Sequence, residues 1–167
     1  AAYRVRADFD PYVGRILLNL VSRSAHLLAK RSFYAWRTSH GILADLAILQ
    51  IAVAFPEITD IERLRQIAEE RFRHHLNYWI NEEGVTLLHS AGYHVDSVYH
   101  FGLGLRLLTL NGFRIPDQWW QRYTKAIEFD SILRRPDGTV PMYGDTSSTP
   151  IEAVALVTTR RNSDDGA

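Results

Sequence analysis

Two stretches of this sequence, 42–55 and 93–110, are apolar nearly all round, and each is followed by a stretch, 60–80 or 116–132, with one apolar and one charged face. A helix that is hydrophobic on every side must be buried on most of them, whereas a helix with one apolar stripe lies at a surface. Their alternation predicts antiparallel helical hairpins in two layers, an inner layer shielded by an outer one. The inner helices then run parallel, and their N-termini meet at one end.

The boundaries follow from local signals. Pro11 suits the first turn of a helix that Asp10 can cap, and Val13, Ile16, Leu17, Leu20, Val21, Leu27 and Leu28 continue at helical spacing. Thr38 or Ser39 is the expected cap of the next helix, and Pro56 ends it. Asp60 is the expected cap of a third, whose inward face is Ile61, Leu64, Ala68, Phe72, Leu76 and Trp79. Val95, Val98, Tyr99, Leu103, Leu107 and Leu110 mark a helix from about Tyr93, stopped by Asn111-Gly112. Pro116 opens a fifth, with Trp120, Tyr123 and Ile127 inward. The predicted organisation is an incoming segment 1–10, a helical domain 11–158 and a polar tail 159–167.

Composition narrows the partners. The 19 basic and 19 acidic side chains cancel, which gives no case for nucleic acid or a charged membrane surface. The most apolar stretch, 42–55, is too short to span a bilayer and contains Asp45 and Gln50. The absence of cysteine removes disulfides and thiolate chemistry. No signal peptide is visible at Ala1-Ala2-Tyr3-Arg4. His89, His94 and His100 are spaced by five and six residues, which does not repeat one helical face, and no His-x-x-x-His pair occurs, so no metal or other cofactor is expected. His26, His74 and His75 read as surface or packing residues.

The chemistry gathers at the two inner-helix starts. One is Thr38-Ser39-His40-Gly41, preceded by the aromatic and cationic run Phe33, Tyr34, Trp36 and Arg37. The other is Leu88-His89-Ser90-Ala91-Gly92-Tyr93-His94, where a phenol, two imidazoles and a hydroxyl surround a glycine. The unpaired N–H groups of a helix start, together with its dipole, favour a bound anion. The plainer alternative is that both clusters only cap and pack.

These runs, in this order, resemble those of the heparinase II/III-like and alginate-lyase polysaccharide lyases. In that family an Asn-His-Gly run opens one inner helix and a His-Ser-Pro-Gly-Tyr-His-like run opens another. Here they correspond to Ser39-His40-Gly41, followed by Ile42-Leu43-Ala44-Asp45-Leu46-Ala47-Ile48-Leu49, and to His89-Ser90-Ala91-Gly92-Tyr93-His94. The segment Asp137-Gly138-Thr139-Val140-Pro141-Met142-Tyr143-Gly144-Asp145 is also similar. The resemblance covers roughly residues 10–148 and implies an all-α fold, an incomplete (α/α) toroid of antiparallel hairpins.

The resemblance further implies cleavage of a uronic-acid-containing polysaccharide, such as a glycosaminoglycan, by β-elimination. Tyr93 would transfer the proton, as acid and also as base. A free tyrosine ionises at about pH 10, so the basic role needs nearby cations and helix starts. His40 and Ser39 would lie beside the substrate carboxylate, with Arg37 as a cation. Trp36, and also Tyr34, would stack on sugar rings, while His89, His94 and Asp145 would contact sugar hydroxyls or orient Tyr93. Ser39 stands where the family has asparagine, and a hydroxyl supplies one donor where an amide supplies two. The family's β-sandwich domain has no counterpart here, so the chain reads as part of a longer lyase or as a homo-oligomer, periplasmic or secreted. The alternatives are a weak or inactive carbohydrate-binding relative and a helical-hairpin scaffold for protein partners.

Overall fold

The computed structural model describes residues 10–36 and 38–146. Five helices succeed one another there: α1 (Pro11–Ala29), α2 (Ser39–Ala54), α3 (Ile61–Trp79), α4 (Ala91–Leu110) and α5 (Asp117–Leu133). The described residues contain no strand, and an isolated antiparallel bridge joins Ile80 to Thr86 in the connection before α4. No described helix is long and apolar enough to cross a membrane.

The helix starts obey local chemistry, with two departures from expectation. Asp10 accepts the Tyr12 N–H at 2.7 Å ahead of Pro11. Ser90 accepts the Tyr93 N–H at 3.3 Å, and so α4 begins at Ala91, two residues before the expected Tyr93. Asp60 precedes α3 in the left-handed region, at φ 62°, and its side chain makes no cap bond. Thr38 precedes α2, but its hydroxyl turns back to donate to the Ala35 carbonyl at 2.9 Å, which leaves the helix without a side-chain cap.

Helix directions follow from three contacts. The Asn111 side chain, at the end of α4, donates to the Leu49 carbonyl late in α2 at 3.1 Å. The Asn111 carbonyl in turn accepts from Arg65, early in α3, at 2.7 Å. At the other end His75, late in α3, lies 2.6 Å from the Tyr34 hydroxyl just before α2. Hence α2 and α4 run parallel, α3 runs against both, and the starts of α2 and α4 share one end of the molecule. This is the predicted hairpin arrangement, an arc of an (α/α) toroid with α2 and α4 within and α1, α3 and α5 flanking them.

The core fills the space between these layers. Phe72 of α3 meets Phe101 of α4 edge to face, with centroids 5.7 Å apart, and both are fully buried. A Cβ on Gly104 would fall 2.1 Å from the Phe72 ring, so the glycine is what admits that ring. α1 departs from the expected pattern. It packs through Leu18, Val21, Ala25 and Leu28, while Val13, Ile16, Leu20 and Leu27 stay exposed. α1 has neighbours on one side, α2 and α3, so only one of its two apolar faces is covered.

Candidate functional site

The shared end of α2 and α4 carries most of the residues singled out in the sequence. His40 is exposed and Ser39 half-buried in the first turn of α2. Trp36, three residues earlier, is 43% exposed and packs edge to face with Tyr78 in the last turn of α3, at 5.5 Å. Tyr78 is itself 46% exposed, so the pair forms an aromatic corner at this end that periodicity alone did not single out. The corner depends on α3 ending beside the α2 start, a tertiary fact. Arg37 lies outside the described residues.

The second cluster surrounds the start of α4. Tyr93 is 39% exposed, and His89 is exposed in the left-handed region at φ 52°. The segment 143–146 folds back onto this start. Thr146 Oγ1 accepts the Gly92 N–H at 3.0 Å, lies 3.0 Å from Ser90 Oγ and donates to the Tyr143 carbonyl at 2.6 Å. Gly144 is required there: at φ 60° a Cβ on it would meet the His89 carbonyl at 2.5 Å. Asp145, exposed on the same segment, is thereby held beside Gly92.

This arrangement revises the expectation of a free anion site at the start of α4. The Gly92 and Tyr93 N–H groups are taken by Thr146 and Ser90 side chains, and the His94 N–H donates to the Ser90 carbonyl at 2.9 Å. The start of α2, with no side-chain cap, is the better placed of the two to receive a carboxylate.

His94 does not join the exposed group. It is 1% exposed, with its ring edge-on to Phe129 at 5.0 Å. Nε2 donates to the Ala126 carbonyl of α5 at 3.1 Å, and Nδ1 accepts from the Thr86 N–H and hydroxyl at 3.4 and 3.3 Å. Burial holds it below the ordinary histidine range, against the opposing pull of the Ala126 carbonyl and Asp130. The expected sugar contact is therefore corrected: His94 is a neutral core residue that ties α4 to α5. His100, one residue short of two turns further on, pairs with Asp96 at 3.2 Å, and this bond raises it.

Beneath the α2 start lies a polar group that the sequence reading passed over. Asp45 and His75 are 0% and 2% exposed. The Tyr34 hydroxyl donates to Asp45 Oδ2 at 3.0 Å and lies 2.6 Å from His75 Nε2, while Trp79 Nε1 donates to His75 Nδ1 at 2.9 Å. Indole N–H is only a donor, so Nδ1 accepts and the neutral ring carries its proton on Nε2, facing Tyr34. The Arg71 guanidinium stacks 3.8 Å over the Tyr34 ring and donates to the Leu28 and Ala29 carbonyls at 2.9 and 2.6 Å. Burial pushes Asp45 up to about 8, against the Tyr34 hydrogen bond and Arg71, and pushes Tyr34 up as well. His75 falls to about 4 through burial, then through Arg71 and His74. The available signal was Asp45 itself, an acid inside an otherwise apolar helix, which must find a partner.

The described residues hold no group of three or more histidine and acidic side chains arranged to bind a metal ion.

The family model for the heparinase II/III N-terminus matches residues 7–161. Among solved structures, a heparinase III gene product superposes with a TM-score of 0.71 at 22% identity, covering 87% of this chain and 23% of that one. A mutant of heparan sulfate lyase HepC from Pedobacter heparinus gives a TM-score of 0.66 at 25% identity, over 84% of this chain and 22% of that one. This chain thus spans less than a quarter of the length of either. No curated protein sequence matches it.

Proposed function

The chain belongs to the heparinase II/III N-terminus family, and we propose that it supplies the helical part of a polysaccharide lyase acting on a uronic-acid-containing glycan. The reaction is β-elimination. The proton at C5 leaves to a base, the C4–O4 bond breaks as a C4=C5 double bond forms, and O4 departs with a proton from an acid. Charge develops on the uronate carboxylate, so donors at that carboxylate lower the barrier as an oxyanion hole does.

The observation that carries this reading is the pairing of the two motifs at one end of parallel helices inside a family match that covers nearly the whole chain. In the proposed site Ser39, His40 and Arg37 hold the carboxylate at the uncapped start of α2. Tyr93 moves the proton. His89 and Asp145 bind sugar hydroxyls from the α4 side, and Trp36, joined by Tyr78, stacks on a pyranose ring. His94 acts only by seating α4. No cofactor enters the scheme. The polymer of choice on this reading is a sulfated glycosaminoglycan such as heparan sulfate, the glycan for which the lyase HepC is named. The protein would meet it in the periplasm or outside the cell, together with a β-sandwich domain or a second copy.

A second reading has its own support. Ser39 offers one donor where the amide of the family's asparagine offers two. This favours glycan binding with weak or absent cleavage. Incubation with heparan sulfate, hyaluronan, alginate and pectate, followed by absorbance of the unsaturated product, separates the two. Product from any of them supports the lyase. Binding to an immobilised glycan without product selects the second reading, and neither result removes both.

A further inference from the structure

The structure assigns Asp45, Tyr34 and His75 a positioning role: they fix the Trp36 segment and the Ser39-His40-Gly41 helix start through one hydrogen-bonded network, without themselves touching a ligand. Its functional half rests on the glycan-binding reading given above.

Three facts carry it. First, the network is directional. Trp79 sets the His75 tautomer, His75 Nε2–H faces the Tyr34 oxygen, and the Tyr34 hydroxyl faces Asp45 Oδ2. Each member therefore fixes the next, and the terminal member, Asp45, sits on α2 less than two turns from its start. Second, the exposed segment hangs directly on the network. The Ala35 carbonyl, next to Tyr34, accepts both the Thr38 N–H at 3.0 Å and the Thr38 hydroxyl at 2.9 Å, and the Thr38 carbonyl accepts the Gly41 N–H at 3.0 Å. A Cβ on Gly41 would lie 2.8 Å from the Ala35 carbonyl and 2.9 Å from the His75 ring. The third residue of the motif is thus glycine because the segment, the helix start and the His75 ring converge there. Third, Asp45 Oδ1 is buried with no partner. A core that needed only a filler at this position would be better served by an apolar side chain than by an acid with one oxygen unsatisfied.

The ionisable groups facing Asp45 are Tyr34 from the α1–α2 connection, and Arg71 and His75 from α3. Burial keeps Asp45 protonated at neutral pH, and its ionisation at about 8 places a charge beside an oxygen that has no donor. The helix start then feels the Asp45 titration through the Tyr34 hydrogen bond.

The test follows the backbone amides of Ser39, His40 and Gly41 and the Trp36 indole by NMR between about pH 6 and 9, in the 167-residue chain and two variants. Asp45→Asn keeps the shape and an acceptor for Tyr34, and should abolish an alkaline titration step seen at these amides in the wild type. Tyr34→Phe keeps the ring under Arg71 and should shift the same amides at every pH. Circular dichroism checks that both variants remain folded. In parallel, the affinity for a heparan sulfate oligosaccharide should fall about tenfold in Tyr34→Phe and stay within twofold in Asp45→Asn at neutral pH. Absence of the step in the wild type, or its persistence in Asp45→Asn, overturns the network. Shifted amides with unchanged affinity in Tyr34→Phe overturn its functional half. Should the wild type show the step but bind no glycan, the positioning of the helix start stands and the lyase reading falls.

Discussion

The Asn111 side-chain amide, at the close of α4, donates at once to the Leu107 carbonyl of its own helix at 2.8 Å and to the Leu49 carbonyl of α2 at 3.1 Å. One buried residue therefore ends a helix and fixes the level at which the two inner helices lie side by side. Removing it takes both bonds and leaves a polar hole. Asn111→Ala is expected to lower the unfolding free energy by about 1–3 kcal/mol in urea titration. A loss below about 0.5 kcal/mol, the range of ordinary surface changes, would mean that apolar packing alone sets that level.

Gly104 tests the closeness of α3 and α4. Its missing side chain is where the Phe72 ring edge lies, and that ring is fully buried against Phe101. Gly104→Ala gains helix propensity of about 1 kcal/mol, but the ring has no free direction in which to retreat. The overpacking should prevail, with a net loss of about 1–3 kcal/mol. A stabilised variant would show that the interface has slack.

The buried acid and imidazole set the pH profile of stability. His75 is lowered to about 4 from 6.5, so between those values the unfolded chain binds the extra proton and stability rises with pH. Asp45 is raised to about 8 from 3.8, so across that interval the folded chain keeps the extra proton and stability falls as pH rises. From about 4 to 6.5 the two slopes oppose. Lowered His94 adds to the rise, and above 6.5 Asp45 continues to fall with raised His100 acting in the same sense. Stability should therefore peak near pH 6.5 and decline toward pH 8, by on the order of 1 kcal/mol per unit. Asp45→Asn should flatten most of that alkaline decline. Denaturation midpoints collected at half-unit intervals would reveal a profile that keeps rising to pH 8, and such a profile would refute the assignment.

The layers were legible in the sequence because they depend on periodicity. The stretches 42–55 and 93–110 are apolar nearly all round, and the fold sets both helices between the charged ones with most of their apolar residues in the core. The shared end of Ser39 and Tyr93 follows from the same alternation. What escaped depended on contacts between distant residues. Thr146 occupying the Gly92 N–H, Tyr78 meeting Trp36, and His75 pairing with Tyr34 and Asp45 join positions 54, 42, 41 and 30 apart, and no local spacing encodes them. The burial of His94 escapes local spacing for the related reason that its partners, Ala126 and Thr86, lie on other elements. For α1 the sequence carried two apolar faces, and only its neighbours decide which one is covered.

The mechanistic prediction concerns Tyr93. Its ring is 39% exposed at the start of α4, at the end of the molecule shared with the uncapped start of α2. Tyr93→Phe keeps the ring, its packing and the Ser90 cap, and removes only the transferable proton. If Tyr93 carries the proton in the elimination, the variant should lose cleavage by at least about 100-fold, the range for a positioned acid or base, with glycan affinity and thermal stability unchanged. Ser39→Asn restores a two-donor group at the carboxylate and should raise cleavage, with its effect in kcat rather than KM, since the enolate-like charge exists only beyond the ground state. Made together with Tyr93→Phe, the gain should vanish, because better carboxylate binding has no proton transfer to assist. A double variant that cleaves as fast as Ser39→Asn alone would take the proton from Tyr93 and give it to another group at that end, with exposed His40 and His89 next to be tested.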